Sequence, residues 1–414
     1  MVEKKRFRIN RTTERYFNLG RIIMGEFAFE LMDTDSQKAN IKVIGVGGGG
    51  GNAVNHMISH GIQGVKFLCA NTDTQDLSSS PAEEKVQLGV ETSKGLGAGM
   101  NPEIGKASAE EAVESIKSVL SDTDMLFITA GFGGGTGTGA SPVIAKIAKE
   151  MDILTVGVVT KPFQWEGDER SSLAEQGLKD LEHHVDSLIV IPNDRLQSLG
   201  KKITVFNAFD AANDVLLNSV QGIVELITVP GVINLDFADV KAVMGKKGRS
   251  IMGSAVASGP DRARIAVEKA VKSPLLEDIN LEGASGILLN VTVGTDLEIS
   301  EFNQIGDIVQ SYAAKKSTVI VGTALSSDLE NDSIRVTLVA TGLNAVRTGD
   351  TKEKDRERSF DDLDRPITAR NGLKQQTTQD MFESLEKTKP SGEHEEELLD
   401  IPRFLRRQDP DLDF

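Results

Sequence analysis

A chain of 414 residues is too long for one ordinary hydrophobic core and implies two domains with tails. Its formal net charge of -16 excludes a general nucleic-acid binder, because phosphate backbones are bound through Lys and Arg surfaces. The single cysteine, Cys69, excludes an intramolecular disulfide and any multi-cysteine metal site, and no apolar run reaches the length of a membrane span.

The chain opens on a basic arm in which Lys4, Lys5, Arg6, Arg8, Arg11, Arg15 and Arg21 face only Glu3 and Glu14. Targeting peptides are Arg-rich and acid-poor, but this arm lacks their apolar h-region. Ile41 to Val46 then reads as a buried strand that runs into Gly47 to Gly51, Asn52 and a helix from Ala53 to His60. Gly45, Gly47 and Gly50 satisfy G-x-G-x-x-G. Asp73 follows the next strand, Val65 to Ala70, about where a dinucleotide fold places its ribose-binding acid. Taken alone, this stretch suits an NAD-type oxidoreductase.

Lys94 to Gly99 is another glycine-rich loop, after which Asn101, Pro102 and Glu103 open a helix running to about Leu120. An apolar strand, Met125 to Thr129, leads into the run Gly133-Gly134-Gly135-Thr136-Gly137-Thr138-Gly139 and a helix from Ala140 to Glu150. A strand that ends in glycines before a helix start aims bare backbone N–H groups and the positive end of the helix dipole at one small volume, which suits phosphate. A second loop of this type is not called for by a dinucleotide fold. The absence of G-x-x-x-x-G-K-[ST] disfavours a P-loop NTPase. Both glycine loops are expected at the carboxyl edge of one parallel sheet, where such sheets bind ligands.

Ile153 to Val159 is the next buried strand. Beyond it, Glu166 and Arg170 lie one helical turn apart, a spacing that also serves a solvated ion pair, beside the only tryptophan, Trp165. The strand Ser187 to Ile191 ends at Pro192-Asn193-Asp194. A long helix over Val205 to Ile227 follows, with Phe209, Ala212, Leu216, Val220, Ile223 and Ile227 as its core stripe. Phe209 and Asn213 are one turn apart, which lets a ring stack on a base while an amide pairs with its edge, although a Phe on an apolar face is usually core. Asn234 or Asp236 caps a further helix whose first turn carries Asp236 and Asp239 on one side, an ordinary place for acids beside a helix dipole.

The remainder to Gly342 reads as a smaller α/β domain, with strands Ile287 to Val293, Thr318 to Leu325 and Ile334 to Thr341 and helices Arg262 to Val271 and Ser300 to Ala314. Thr348 to Glu397 is polar and charged, the composition of a disordered tether. Leu398 to Gln408 then combines apolar and basic residues, suited to docking on a partner groove, before the chain continues through Asp409 to Phe414.

The run Gly133 to Gly139 resembles the signature of the tubulin and FtsZ superfamily of GTP-binding, polymer-forming proteins, and other stretches are similar to its bacterial cell-division branch over about Ile41 to Gly342 and the C-terminus. The resemblance implies an α/β fold. A Rossmann-like parallel-sheet GTP-binding domain (41–204) is joined by a central helix (205–228) to a second, smaller α/β domain (229–343). A disordered linker (344–397) and a short docking peptide (398–414) follow, and residues 1–40 form an extension. Chains of this kind begin shortly before the first strand, so Met24 is expected nearer the natural start than Met1. Intact mass of the native protein checks this, and a mature chain starting at Met1 would refute it.

By the same resemblance, GTP or GDP is bound through Gly48, Gly49, Gly50, Gly51 and Asn52; Asn71, Thr72 and Asp73; Ala98 and Gly99; Gly133, Gly134, Gly135, Thr136, Gly137 and Thr138; Glu166 and Arg170; and Asn193, Phe209 and Asn213. Asn234, Asp236 and Asp239 would be catalytic, docking on the γ-phosphate face of the next subunit's nucleotide, with Mg2+ held mainly by the phosphates. Expected partners are further copies of the chain in a head-to-tail filament and, through Leu398 to Gln408, membrane adaptors and other division proteins. No nucleic acid or membrane span is expected. The implied place of action is the cytoplasm at the mid-cell division site. A non-hydrolysing polymer scaffold is the other reading, and turnover of GTP separates the two.

Overall fold

The computed structural model describes residues 39–343 except 200–203, 230, 234, 247, 277–282, 315–316, 327–328 and 330–331. The expectations for the basic arm, the tether, the docking peptide and Asn234 therefore lie outside the described residues.

One ten-stranded sheet runs through the described residues in the order β3-β2-β1-β4-β5-β6-β7-β10-β8-β9. The strands are β1 (Ile41–Val46), β2 (Val65–Asn71), β3 (Glu84–Gln87), β4 (Met125–Gly131), β5 (Leu154–Lys161), β6 (Ser187–Pro192), β7 (Arg249–Ser258), β8 (Gly286–Val293), β9 (Thr318–Leu325) and β10 (Ser333–Leu343). β1 to β6 pair in parallel throughout. Beyond them β10 runs antiparallel to β7 and β8, and β9 closes the edge parallel to β8. The two parts meet at β6 and β7 through two residue pairs, Leu188 with Arg249 and Ile189 with Ser250.

The parallel strands are apolar on both sides because helices cover both faces. On one face α1 (Gly47–Ser59) and α7 (Ala208–Thr228) bury Ala53, Val54, Met57, Leu216, Val220 and Ile223 against Val43, Phe127 and Val156. On the other, α3 (Pro102–Glu111), α4 (Val113–Val119), α5 (Thr136–Glu150) and α6 (Asp168–Glu182) cover Ile44, Leu68 and Ile128. Short α2 (Thr74–Ser79) lies between β2 and β3, and α8 (Phe237–Met244) follows α7. The mixed part has its own core, in which Ala266 and Val267 of α9 (Arg262–Val271) and Ile305 and Val309 of α10 (Ile299–Tyr312) pack on Ile287, Leu289 and Val336. Because α7 packs on β5 and also on β8 and β9, it belongs to both parts. Full burial of side chains such as Val220 and Ile223 contributes roughly 1.5–3 kcal/mol each. Cys69 is core, its Sγ 3.2 Å from Ser80 Oγ.

Several boundaries differ from the sequence expectation for local physical reasons. Helix α1 begins at Gly47 rather than Ala53, so the glycines are its first turns. Glycine is required there because a Cβ on Gly50 would overlap the Thr129 carbonyl and one on Gly45 would overlap the Gly50 carbonyl. The helix expected from Asn101 to Leu120 is broken at Ala112, while the Asn101 cap is present, its side chain accepting from Glu103 N at 3.0 Å. The central helix starts at Ala208, not Val205. Asn207 Oδ1 instead accepts from Thr204 N and Oγ1, closing a turn, and Phe209 is half-exposed rather than part of the core stripe.

Candidate functional site

The strand order reverses between β1 and β4: β1 leads on to β2 at one side and β4 to β5 at the other. The segments that leave these two strands therefore part and open a crevice at the carboxyl edge of the sheet. A cavity of about 410 Å³ lies there.

Its floor is built by two helix starts. Neither α1 nor α5 has a side-chain cap, and neither carries an acidic residue in its first turn. Each therefore presents backbone N–H groups and the positive end of its dipole to the cavity with no acid of its own first turn to answer them. Gly48, Gly49 and Asn52 line the cavity from α1, and Gly134, Gly135, Thr136 and Gly137 line it from the start of α5. Gly99 joins them because Gly135 N donates to the Gly99 carbonyl at 2.8 Å. Gly133 holds φ at +101°, a left-handed value that favours glycine, and its N–H donates to Thr138 Oγ1 at 2.9 Å. This tightens the turn that feeds α5.

The opposite end is aromatic and polar. Glu166, Arg170, Asn193, Phe209 and Asn213 line it. Glu166 accepts from Phe163 N at 2.9 Å and from Arg170 Nη1 at 3.1 Å, so the expected ion pair forms at the cavity wall with its carboxylate largely buried. The Phe209 ring meets Phe163 and Trp165 edge-on at 5.7 and 6.0 Å. Asn193 is 4% exposed and its Oδ1 has no partner among the described groups. A buried acceptor left unpaired is costly, so this atom marks a place where a ligand donor is wanted. Next to Asn213, Asp214 Oδ1 lies 2.9 Å from His56 Nε2 and ties α7 to α1.

The other sequence candidates stand behind the lining. Gly50 and Gly51 are inside α1. Thr72 is fully buried, with its hydroxyl 2.6 Å from Thr136 Oγ1, and Asn71 Oδ1 accepts from Asp73 N. Asp73 caps α2 through Gln75 N and Asp76 N, Ala98 is buried, and Thr138 holds Gly133. Gly47, Gly131, Phe132, Thr160 and Pro162 also line the cavity, although none of them was assigned to GTP from the sequence. They sit where strands β1, β4 and β5 end, a signal that needs the strand order as well as the sequence.

Asp236 caps α8, accepting from Asp239 N at 2.9 Å. Neither aspartate lines the cavity. Among the described residues no group of three or more His, Cys, Asp or Glu side chains is placed to hold a metal ion. No described helix is long and apolar enough to cross a membrane.

Residues 40–201 match the family model described as Tubulin/FtsZ family, GTPase domain, and residues 248–344 match FtsZ family, C-terminal domain. The chain is 51% identical over 393 residues to the cell division protein FtsZ of Coxiella burnetii, covering 92% of this chain and 100% of that one. The chain belongs to the FtsZ family of cell-division GTPases. FtsZ of Pseudomonas aeruginosa is 49% identical, over 92% of this chain and 99% of its own. Among solved structures, an FtsZ dimer of M. jannaschii, described as empty, superposes with a TM-score of 0.72 at 40% identity, over 81% of this chain and 93% of that chain. FtsZ family membership removes the dinucleotide oxidoreductase and the non-hydrolysing scaffold, and it accounts for two glycine loops where a dehydrogenase needs one.

Proposed function

We propose that this FtsZ-family GTPase hydrolyses GTP at a site completed only when a second copy docks. The observation that carries this reading is the separation of labour in one chain. The cavity holds two uncapped helix N-termini suited to phosphate, while the acidic pair Asp236 and Asp239 lies outside it. In this reading the triphosphate rests on Gly48, Gly49, Asn52, Gly99 and Gly134 to Gly137, backed by Gly50, Gly51, Ala98, Gly133, Thr138 and the Asn71-Thr72-Asp73 corner. The guanine lies against Phe209, with Asn213 and Asn193 pairing to its edge and Glu166 and Arg170 beside the ribose.

The catalytic half then comes from Asn234, Asp236 and Asp239 of the next subunit. Phosphoryl transfer needs chiefly positioning and charge control, so carboxylates that orient and deprotonate the attacking water suffice once they are brought within reach. Mg2+ fits as a guest of the phosphate oxygens and water, since the phosphate end of the cavity is lined by N–H and hydroxyl groups rather than carboxylates. Bound there, it offsets phosphate charge.

We assign 41–204 to GTP binding, 205–228 to the connecting helix and 229–343 to presenting the acidic pair. Residues 344–397 serve as a tether, and Leu398 to Gln408 dock on membrane adaptors at the cytoplasmic face of the mid-cell division site. The test is phosphate release against protein concentration for the wild type and Asp236→Asn. Specific activity that rises above a threshold in the wild type and stays low in the variant supports a shared site. Activity per molecule that is flat on dilution refutes it.

A further inference from the structure

The acidic pair is useful only if its loop is held in one place. Helix α7 ends at Thr228 and α8 starts at Phe237, and the described residues between them belong to no helix or strand that would fix the loop. Its anchor is on the edge strand β9. Ile233 N donates to the Thr323 hydroxyl at 2.8 Å, and Thr323 N donates to the Ile233 carbonyl at 3.2 Å. One residue thus clasps the loop with both its side chain and its backbone, at the position just before Asn234 and three before Asp236.

The neighbouring residues leave no slack. A Cβ on Gly231 would overlap the Thr323 carbonyl, so the loop lies against β9 with only glycine able to fit between. Gly322 leaves space that Leu226 of α7 and Leu235 of the loop both enter. Thr323 is itself 3% exposed, so the strand side of the clasp is buried. An edge strand normally offers unpaired backbone groups to another chain, and here the loop takes up the N–H of Thr323.

We infer that Thr323 is a positioning residue for GTP hydrolysis, its hydroxyl fixing the register of the Asn234–Asp239 segment that one copy offers to the next. The inference rests on the role proposed above for Asp236. Thr323 is not among the cavity residues, so its loss acts on the offered loop and leaves the pocket of the same copy intact.

Three variants test this in the full chain: Thr323→Val, which keeps shape and loses the hydroxyl, Thr323→Ser, which keeps the hydroxyl, and Asp236→Asn. GTP affinity, turnover per sedimented subunit and thermal unfolding are measured for each. The expected result is wild-type GTP affinity throughout, turnover lowered at least roughly tenfold in Thr323→Val by misplacement of the loop, and near-wild-type turnover in Thr323→Ser. Mixing Thr323→Val with Asn213→Ala, whose pocket is impaired and loop intact, is expected to recover turnover, which a globally unstable protein would not do. If Thr323→Val fails to fold, Gly231→Ala presses the same clasp from the other side and is expected to give the same loss and the same recovery. Wild-type turnover in Thr323→Val, or equal losses in Val and Ser, overturns the inference while leaving the shared site standing. Wild-type turnover in Asp236→Asn overturns both.

Discussion

At Asp236 one carboxylate serves two ends. It accepts the Asp239 N–H and so caps α8, and it is the proposed catalytic group. Asn caps a helix about as well as Asp, whereas Ala costs about 1 kcal/mol. Asp236→Asn is therefore expected to unfold at the wild-type temperature yet to lose turnover roughly 10²-fold or more, the scale of a lost general base. Asp236→Ala is expected to lose both, and differential scanning calorimetry beside a phosphate-release assay separates the cases. At Asn193 the orphaned Oδ1 gives a prediction about binding. Asn193→Ala is expected to weaken GTP by about 1–3 kcal/mol, or roughly five- to 150-fold in Kd, with calorimetric titration as the check.

Among the elements, α9 and α10 are joined by a charge cluster with a defined pH signature. The side chain of Arg262, 5% exposed, donates to Glu301 at 2.8 and 2.9 Å and to Asp296 at 2.6 Å, and Asp332 lies 3.3 Å away. The Arg262 hydrogen bond holds the Glu301 carboxyl below its ordinary range, and Asp296 is lowered by the same partner. A carboxyl with a depressed folded pKa stabilises the fold above its unfolded pKa, and that contribution is lost as pH falls through the folded value. Denaturant unfolding followed from about pH 5 down to about pH 2 is thus expected to show a fall in the wild type that Arg262→Met largely lacks. At neutral pH the same variant is expected to lose about 1–3 kcal/mol, because the partly buried Glu301 carboxylate keeps the Glu298 N–H but loses its cationic partner.

The elements also show what could be read in advance. Strands β1, β8 and β9 and helix α9 were legible because each is an apolar run or stripe bounded by turn residues. Strand β7 was not, since Arg249, Ser250, Gly253 and Ser254 interrupt its pattern and its partner β10 lies some eighty residues further on. The glycine loops were legible as phosphate-type turns. That Gly50 serves close packing against Thr129 while Gly49 faces the cavity depends on which strand lies alongside, and spacing alone does not carry that. The polar wall at Glu166 and Arg170 could be written either as an ion pair or as a ligand contact, and the two side chains are in fact paired while lining the cavity.

For the whole molecule, the proposed head-to-tail assembly would make the pocket and the loop separable between copies. An equal mixture of Asp236→Asn, with a sound pocket, and Asn213→Ala, with a sound loop, is expected to place the two sound halves together at about one junction in four. Turnover in the mixture should then exceed the mean of the separate variants. A mixture that only averages them would mean that each copy hydrolyses its own GTP.

The seam between β6 and β7 bears on how such a polymer would behave mechanically. Strands β4 and β5 are stitched through seven residue pairs and β8 and β9 through eight, but β6 and β7 through two. Helix α7 spans the same gap by apolar packing and by polar ties to the mixed part, where Glu225 pairs with Arg335 and accepts from Thr292 Oγ1, and the Ser187 and Ser250 hydroxyls meet across the seam itself. Backbone pairing is thus thinnest at Leu188 and Ile189, and a bending load transmitted through the subunit would be borne there by α7 and its polar ties, a leaf spring pinned at both ends across a narrow seam.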